Sequence, residues 1–372
     1  MKHTLAVLFA MFCFCATQPA LAAKAADASA PEVGNPVLLA AQSTSKLQKS
    51  REVVVYNWSE YIPSDVLSDF TRETGIKVVY STYESNEAMY AKLKLLRGRE
   101  YDVVCPSSYV TEQMVKDGLL RKLDHSKLPE LKNIDPNLLS HPHDPNAQYS
   151  VPYMWGTVGL IINTKYVPTG SVSKWSDLLR PEFKGKVMLT DDARDAFGLA
   201  LKSLGKSANA TKESEIEEAY NFLVKLHDSV RVFDITAAKQ AFVSEEVIIG
   251  TSWNGDALVA KEENENLEYI YPEEGTIIWV DSFAITSGAP NPENAHAFIN
   301  FMLRPEISKR CLDEYLYSSP NLKTLELLDD ELRKNRTLNP TAEDLLNSEI
   351  LISIGAAQPI YERYWEKFKT IR

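Results

Sequence analysis

An α/β protein of two lobes is what this sequence predicts, and three observations predict it. Short β-branched runs alternate with amphipathic stretches, the alternation resumes past Gly156, and the β-rich run Ile277–Ile285 links that second series to C-terminal helices. Strand and helix alternating across short joins make a parallel sheet. At 372 residues the chain is long enough for two domains of ordinary size.

The first strand, Val53–Tyr56, empties into Asn57-Trp58-Ser59-Glu60-Tyr61. Pro63 to Thr74 reads as a helix, with Ser64 as its cap, Val66, Leu67 and Phe70 on one face, and Gly75 as its stop. Ile76–Tyr83 is the next strand, Ser85 to Gly98 the next helix, Tyr101–Cys105 the third strand and Pro106–Tyr109 its exit loop. Past Gly156 come strands at Val158–Ile162, Val187–Thr190 and Val247–Trp253, then Ile277–Ile285 and helices at Pro292–Leu303 and Pro305–Tyr315. Two lobes joined by extended strands leave a cleft, and clefts between domains are preferred ligand sites.

Residues 1–22 read as a secretory signal: Lys2 and His3, the apolar stretch Leu5–Ala16, then the small-residue cleavage pattern Ala20-Leu21-Ala22. The apolar run is shorter than the ~20 residues that span a bilayer, so a soluble, exported product cleaved near Ala22 is expected. Residues 23–50, rich in Ala, Ser, Gln and Lys with no sustained period, read as a flexible leader. Cys13 and Cys15 leave with the signal; Cys105 and Cys311 read as two separate buried thiols, with a disulfide as the alternative. A net charge of −11 offers no basic face for nucleic acid or an anionic membrane, and agrees with a cationic ligand.

Trp58, Glu60 and Tyr61 stand where the first strand ends, and open α/β sheets bind small molecules beyond the carboxyl ends of their strands. Two aromatics beside a carboxylate suit an organic cation; a loop packed on the core edge is the plainer alternative. Five further clusters recur: Ser107-Ser108-Tyr109, Thr190 to Asp195, Trp253 to Asp256, Trp279-Val280-Asp281 and Tyr317-Ser318-Ser319, each following or ending a β-like run or a helix. An alkyl polyamine carries ammonium groups separated by methylenes, so its site needs carboxylates with flat rings between them. An ammonium over a ring gains ~0.5–2 kcal/mol, and charge-assisted bonds fix which nitrogen sits where.

Asp192 and Asp195 share one face of a helix start and repel each other, which a bound dication relieves. The equally weighted alternative makes Asp191 and Asp192 helix-capping acids and pairs Asp195 with Arg194 or a lysine. Trp253 and Trp279 read as core aromatics, or as walls of a cation site with Asp256 three residues after the first and Asp281 on the same strand face as the second.

With YNWSEYIP, STYESNEAMYAKLK, LTDDARDAFGLAL, WVDSFAI, LRPE and AAQPIYERYW, the chain from about Val53 onward resembles the spermidine/putrescine-binding proteins of bacterial polyamine ABC transporters. The resemblance implies a two-lobed periplasmic binding protein of type II. Its discontinuous lobes, 51–156 with 280–325 and 157–279 with 326–372, would be joined by hinge strands that let them close on the ligand. It implies a monomer that is not an enzyme and carries no cofactor or metal, capturing spermidine or putrescine in the periplasm and delivering it to an inner-membrane ABC permease.

The same resemblance makes Trp58, Tyr61, Tyr109, Trp253, Trp279 and Tyr317 walls for the methylene chain. Glu60, Asp192, Asp195 and Asp281 hold nitrogens in it, and Ser59 and Ser107 add polar contacts. Departures from the family pattern bear on selectivity. Leu351 replaces a glutamine and Ile235 a serine of the spermidine type, whereas Asp256, where that type has serine, matches the putrescine type. Tyr109, Asp192 and Trp279 match the spermidine type, so the site is a hybrid.

Three rivals have weaker support. A glycosidase also places two acids among aromatics, but the clusters outnumber what two-acid chemistry needs. The loop His141-Pro142-His143-Asp144 suggests a metal, without further ligands at suitable spacing. A sugar or amino-acid receptor shares the fold, but an amino acid needs an arginine for its carboxylate, and only Arg194 stands in the clusters.

Overall fold

The structure is a computed structural model that describes residues 51–141, 144–235 and 238–371. The expected signal and the leader to residue 50 lie outside the described residues, as do Pro142 and His143. The apolar runs become ten strands of one mixed sheet.

The N-terminal series is β1 (Glu52–Trp58), α1 (Ser64–Thr74), β2 (Lys77–Tyr83), α2 (Asn86–Leu96), β3 (Val103–Val104) and α3 (Ser108–Lys116). β1 pairs in parallel with β2 and β3. In α1, Val66 and Phe70, four residues apart, bury the inner face, and Gly75 ends the helix at φ 70°, a left-handed conformation that costs glycine little. The expected Ser64 cap is not formed: Pro63 holds the cap position and no side chain accepts a bond there. The expected exit loop 106–109 is also shorter than predicted, because α3 begins at Ser108.

The second series opens with β4 (Ser150–Asn163), fourteen residues where only Val158–Ile162 is expected. There follow β5 (Val187–Thr190), α4 (Ala193–Ser203), α5 (Glu213–His227), β6 (Val230–Asp234), α6 (Ala238–Val243), β7 (Ile249–Trp253), α7 (Asn254–Glu263) and β8 (Leu267–Ile270). β5 pairs in parallel with β6 and β7. The chain continues through β9 (Ile277–Ile285), α8 (Pro292–Met302), α9 (Pro305–Tyr315), β10 (Glu349–Ile350) and α10 (Gln358–Lys369).

The strand order is β2-β1-β3-β9-β4-β7-β5-β6, with β8 added to β4 and β10 to β9. Two parallel blocks are therefore joined by the long antiparallel pair β9 and β4: β9 meets β3 through Ala284 and Val104, and β4 meets β7 from Val158 to Ile162. The β9–β4 register breaks between Asp281, opposite Met154, and Ser282, opposite Pro152, leaving Tyr153 as the extra residue of a bulge.

Helices cover the sheet with aromatic contacts. Phe70 of α1 packs edge-on against Phe298 and Phe301 of α8. Phe197 of α4, fully buried, meets Tyr361 and Trp365 of α10. Burying such a ring contributes ~1.5–3 kcal/mol. Cys105 and Cys311 are buried free thiols, as expected. No helix among the described residues is long and apolar enough to cross a membrane.

Candidate functional site

Beyond the ends of β1, β3, β5 and β7, and against the middle of β9, lies a cavity of about 640 Å³. All thirteen side chains singled out above line it: Trp58, Ser59, Glu60, Tyr61, Ser107, Tyr109, Asp192, Asp195, Trp253, Asp256, Trp279, Asp281 and Tyr317. One expectation needs correcting, since Trp279 and Asp281 sit within β9 rather than at a strand end. Their two-residue spacing still turns both side chains to the cavity.

Asp281 is held at both carboxylate oxygens. Tyr61 donates its hydroxyl to Oδ2 at 2.7 Å and Ser107 donates to Oδ1 at 2.6 Å. Ser107 follows the strand-end proline, and because its hydroxyl serves Asp281 it gives no side-chain cap to α3. Asn86 holds this corner, donating to Ser107 Oγ at 3.0 Å and to the Tyr109 hydroxyl at 2.9 Å. Burial pushes Asp281 up to about 7, against the two hydroxyls, which pull it down.

Asp192 caps α4: its Oδ1 accepts the amides of Arg194 at 2.8 Å and Asp195 at 3.0 Å. The capping alternative is thus realised for Asp192, whose carboxylate also lines the cavity. Burial still raises its pKa, the amides notwithstanding. Asp195 does not pair with Arg194; it accepts the Trp253 indole N–H at 2.8 Å, and burial followed by Asp192 pushes its pKa well up. Arg194 turns away, bonding Ile352 O and Asn209 Oδ1, with its guanidinium 4.9 Å from the Tyr109 ring centre.

The aromatic walls are held independently. The Trp58 indole donates to Cys105 O at 3.1 Å and lies tilted against Tyr83. Trp279 meets Tyr317 edge-on at 5.2 Å, and Tyr317 meets Tyr61 at 5.8 Å. Trp279 lies so close to Gly156 that a Cβ there would run into the indole, and Tyr317 lies likewise over Gly255. The buried Trp279 Nε1 has no hydrogen-bond partner among the described residues.

The rim is different. Glu60 takes φ 46°, uncommon for a residue with a side chain, where β1 gives way to its loop. Its carboxylate pairs with Lys239 at 2.9 Å, and Lys239 also stands 4.0 Å from Asp256. Asp256 accepts the Tyr317 hydroxyl at 2.8 Å; burial raises its pKa, with Lys239 and Tyr317 opposing. Ser59 donates to Glu84 at 3.2 Å in an exposed position.

Six lining residues were not singled out from sequence: Glu84, Asn86, Lys239, Val259, Glu314 and Tyr315. Asn86 lies in STYESNEAMYAKLK, so the resemblance carried a signal for it; Lys239 had none. Ile235 and Leu351, noted as departures, line the cavity too. Among the described residues no group of three acids, histidines or cysteines is placed to hold a metal, and Asp144 instead accepts the amides of Gln148, Tyr149 and Ser150.

Residues 65–339 match the family described as bacterial extracellular solute-binding protein. The chain belongs to that family. The spermidine/putrescine-binding periplasmic protein of Escherichia coli K12 is 44% identical to this solute-binding protein over 330 residues, 89% of this chain and 95% of that one. The putrescine-binding periplasmic protein PotF of the same strain is 32% identical over 325 residues, 82% and 88% of the two chains. Among solved structures, the spermidine/putrescine ABC transporter substrate-binding protein PotD of Streptococcus pneumoniae superposes with a TM-score of 0.74 at 37% identity, covering 86% of this chain and 98% of that one. The expected resemblance and the type II binding-protein fold therefore hold for this solute-binding protein, and its relatives are transport binding proteins rather than enzymes.

Proposed function

We propose that this chain captures a linear polyamine of the spermidine or putrescine class in the periplasm and delivers it to an inner-membrane ABC permease, as a monomer and without catalysis, once residues 1–22 are removed. The observation that carries the reading is Asp281. It is a buried carboxylate held by two neutral hydroxyls, one of them from Tyr61, whose ring meets Tyr317 and, through it, Trp279. Hydroxyls fix its geometry without cancelling its charge, and a desolvated charge is costly until a cation arrives. In the proposed complex Asp281 holds an internal ammonium, Asp192 and Asp195 a terminal one, and the six aromatic walls enclose the methylenes. Glu60, Ser59 and Ser107 contribute polar contacts, and Asp256 and Leu351 bear on ligand choice. The names of the relatives support the ligand class.

The lobes are proposed as 51–156 with 280–325 and 157–279 with 326–372, closing through β4 and β9. Isothermal titration with putrescine, cadaverine, spermidine and spermine tests the function. We expect micromolar or tighter binding of at least one, about −8 kcal/mol or better. No heat and no thermal shift with any of the four sinks the reading.

A further inference from the structure

Lys239 places an ammonium of the chain's own inside a cavity otherwise furnished with carboxylates. Projecting from α6, it reaches Glu60, just past β1, at 2.9 Å and Asp256, in the first turn of α7, at 4.0 Å. Asp256 in turn takes the hydroxyl of Tyr317, whose ring lies against Trp279 and Tyr61. From Lys239 inward the cavity therefore presents ammonium, carboxylate, aromatic rings and then the Asp281 carboxylate. An ammonium held at a carboxylate with rings beyond it is the pattern a bound polyamine end would make.

We propose that Lys239 occupies one ammonium position of this cavity with a tethered cation and thereby sets which polyamines fit, rejecting those with a further ammonium to place beside Asp256. The proposal rests on the polyamine reading of the same cavity and names the residue that limits the ligand. Glu60 and Asp256 are already shared with a cation, so a longer ligand reaching that end meets like charge instead of an open acid, and discrimination comes from repulsion as much as attraction. The side chain is 29% exposed. Burial pulls its pKa down, but Asp256 and Glu60 outweigh it, so the amine stays charged. An ion pair serving only to tie α6 to the loop after β1 would alter affinity for every amine by the same factor.

The ratio of spermine to putrescine association constants, measured by titration calorimetry, separates the two roles. In Lys239→Met, which keeps the length and removes the charge, this ratio should rise about tenfold; in Lys239→Arg it should stay within threefold of the wild-type value. Adding Asp256→Asn to Lys239→Met should take the gain back. A rise below threefold in Lys239→Met, an equal rise in Lys239→Arg, or a gain that survives Asp256→Asn overturns the proposal. Lys239→Gln reads the same ratio should the Met variant fail to fold by circular dichroism. Wild-type protein that binds none of the amines overturns the polyamine reading and this proposal with it, whereas wild-type binding with an unmoved ratio overturns this proposal alone.

Discussion

Asp281 and Glu60 are carboxylates of one cavity in opposite circumstances. Asp281 is 6% exposed and held by Tyr61 and Ser107 through neutral hydroxyls. Glu60 stands at the rim with its side chain 72% exposed, and Lys239 already answers its charge. The contrast teaches what makes an acid available to a cationic ligand. A carboxylate oriented by neutral donors keeps its charge in reserve in a poorly solvated place, where a cation gains most, while one paired with a lysine in water has little left to offer.

The largest test of that contrast is Asp281→Ala. Truncating one member of a buried charge pair costs ~2–5 kcal/mol, so polyamine affinity should fall on the order of 100-fold by titration calorimetry. A loss equal to that of Ser59→Ala rejects the assigned role.

The intermediate test is pH. With Asp281 pushed up to about 7, the unliganded carboxyl is protonated at pH 5 and charged at pH 8. A cation needs the charged form, and Asp192 and Asp195 are shifted in the same direction. Affinity should therefore weaken roughly tenfold or more from pH 8 to pH 5. The stability of the unliganded protein runs the other way. Between the ordinary carboxylate value near 4 and about 7 the folded state holds more protons than the unfolded one, so this group's contribution is present below pH 4 and lost as pH rises to 7. An Asp281→Asn variant that keeps the wild-type slopes of both affinity and melting temperature against pH removes Asp281 as their source.

The smallest expected effect is at the rim. Ser59 donates to Glu84 in an exposed setting, so Ser59→Ala should change affinity by less than about threefold, within what a solvated hydrogen bond supplies. A loss above tenfold in the same titration erases the distinction between rim and interior.

Much of this contrast was legible in the sequence, and the illegible parts share a cause. β5 and β9 read directly because unbroken β-rich runs bound by turn residues are local signals. β4 was read at less than half its length because Pro152 and Gly156 interrupt its pattern, yet Gly156 is small so that Trp279 can lie on it, a requirement imposed from another strand. α3 hid behind Pro106-Ser107-Ser108, a turn by composition, because Ser107 is engaged with Asp281, 174 residues away. The recurring clusters of aromatics and acids drew attention to the cavity and the family resemblance assigned its thirteen residues, but neither gave the pairing among them. Nothing in the local sequence says that Glu60 finds Lys239 while Asp195 finds Trp253 instead of its neighbour Arg194.

The register break in the β9–β4 ladder falls at Asp281 itself. Across the same position Ser282 donates its amide to Pro106 O, beside the serine that holds the carboxylate. The acid thus sits in the long strand pair that joins one parallel block of the sheet to the other. Should the proposed lobes close by flexing that ladder, the motion would act where Asp281 meets its hydroxyl donors and so link the proposed grip on the ligand to the proposed closure.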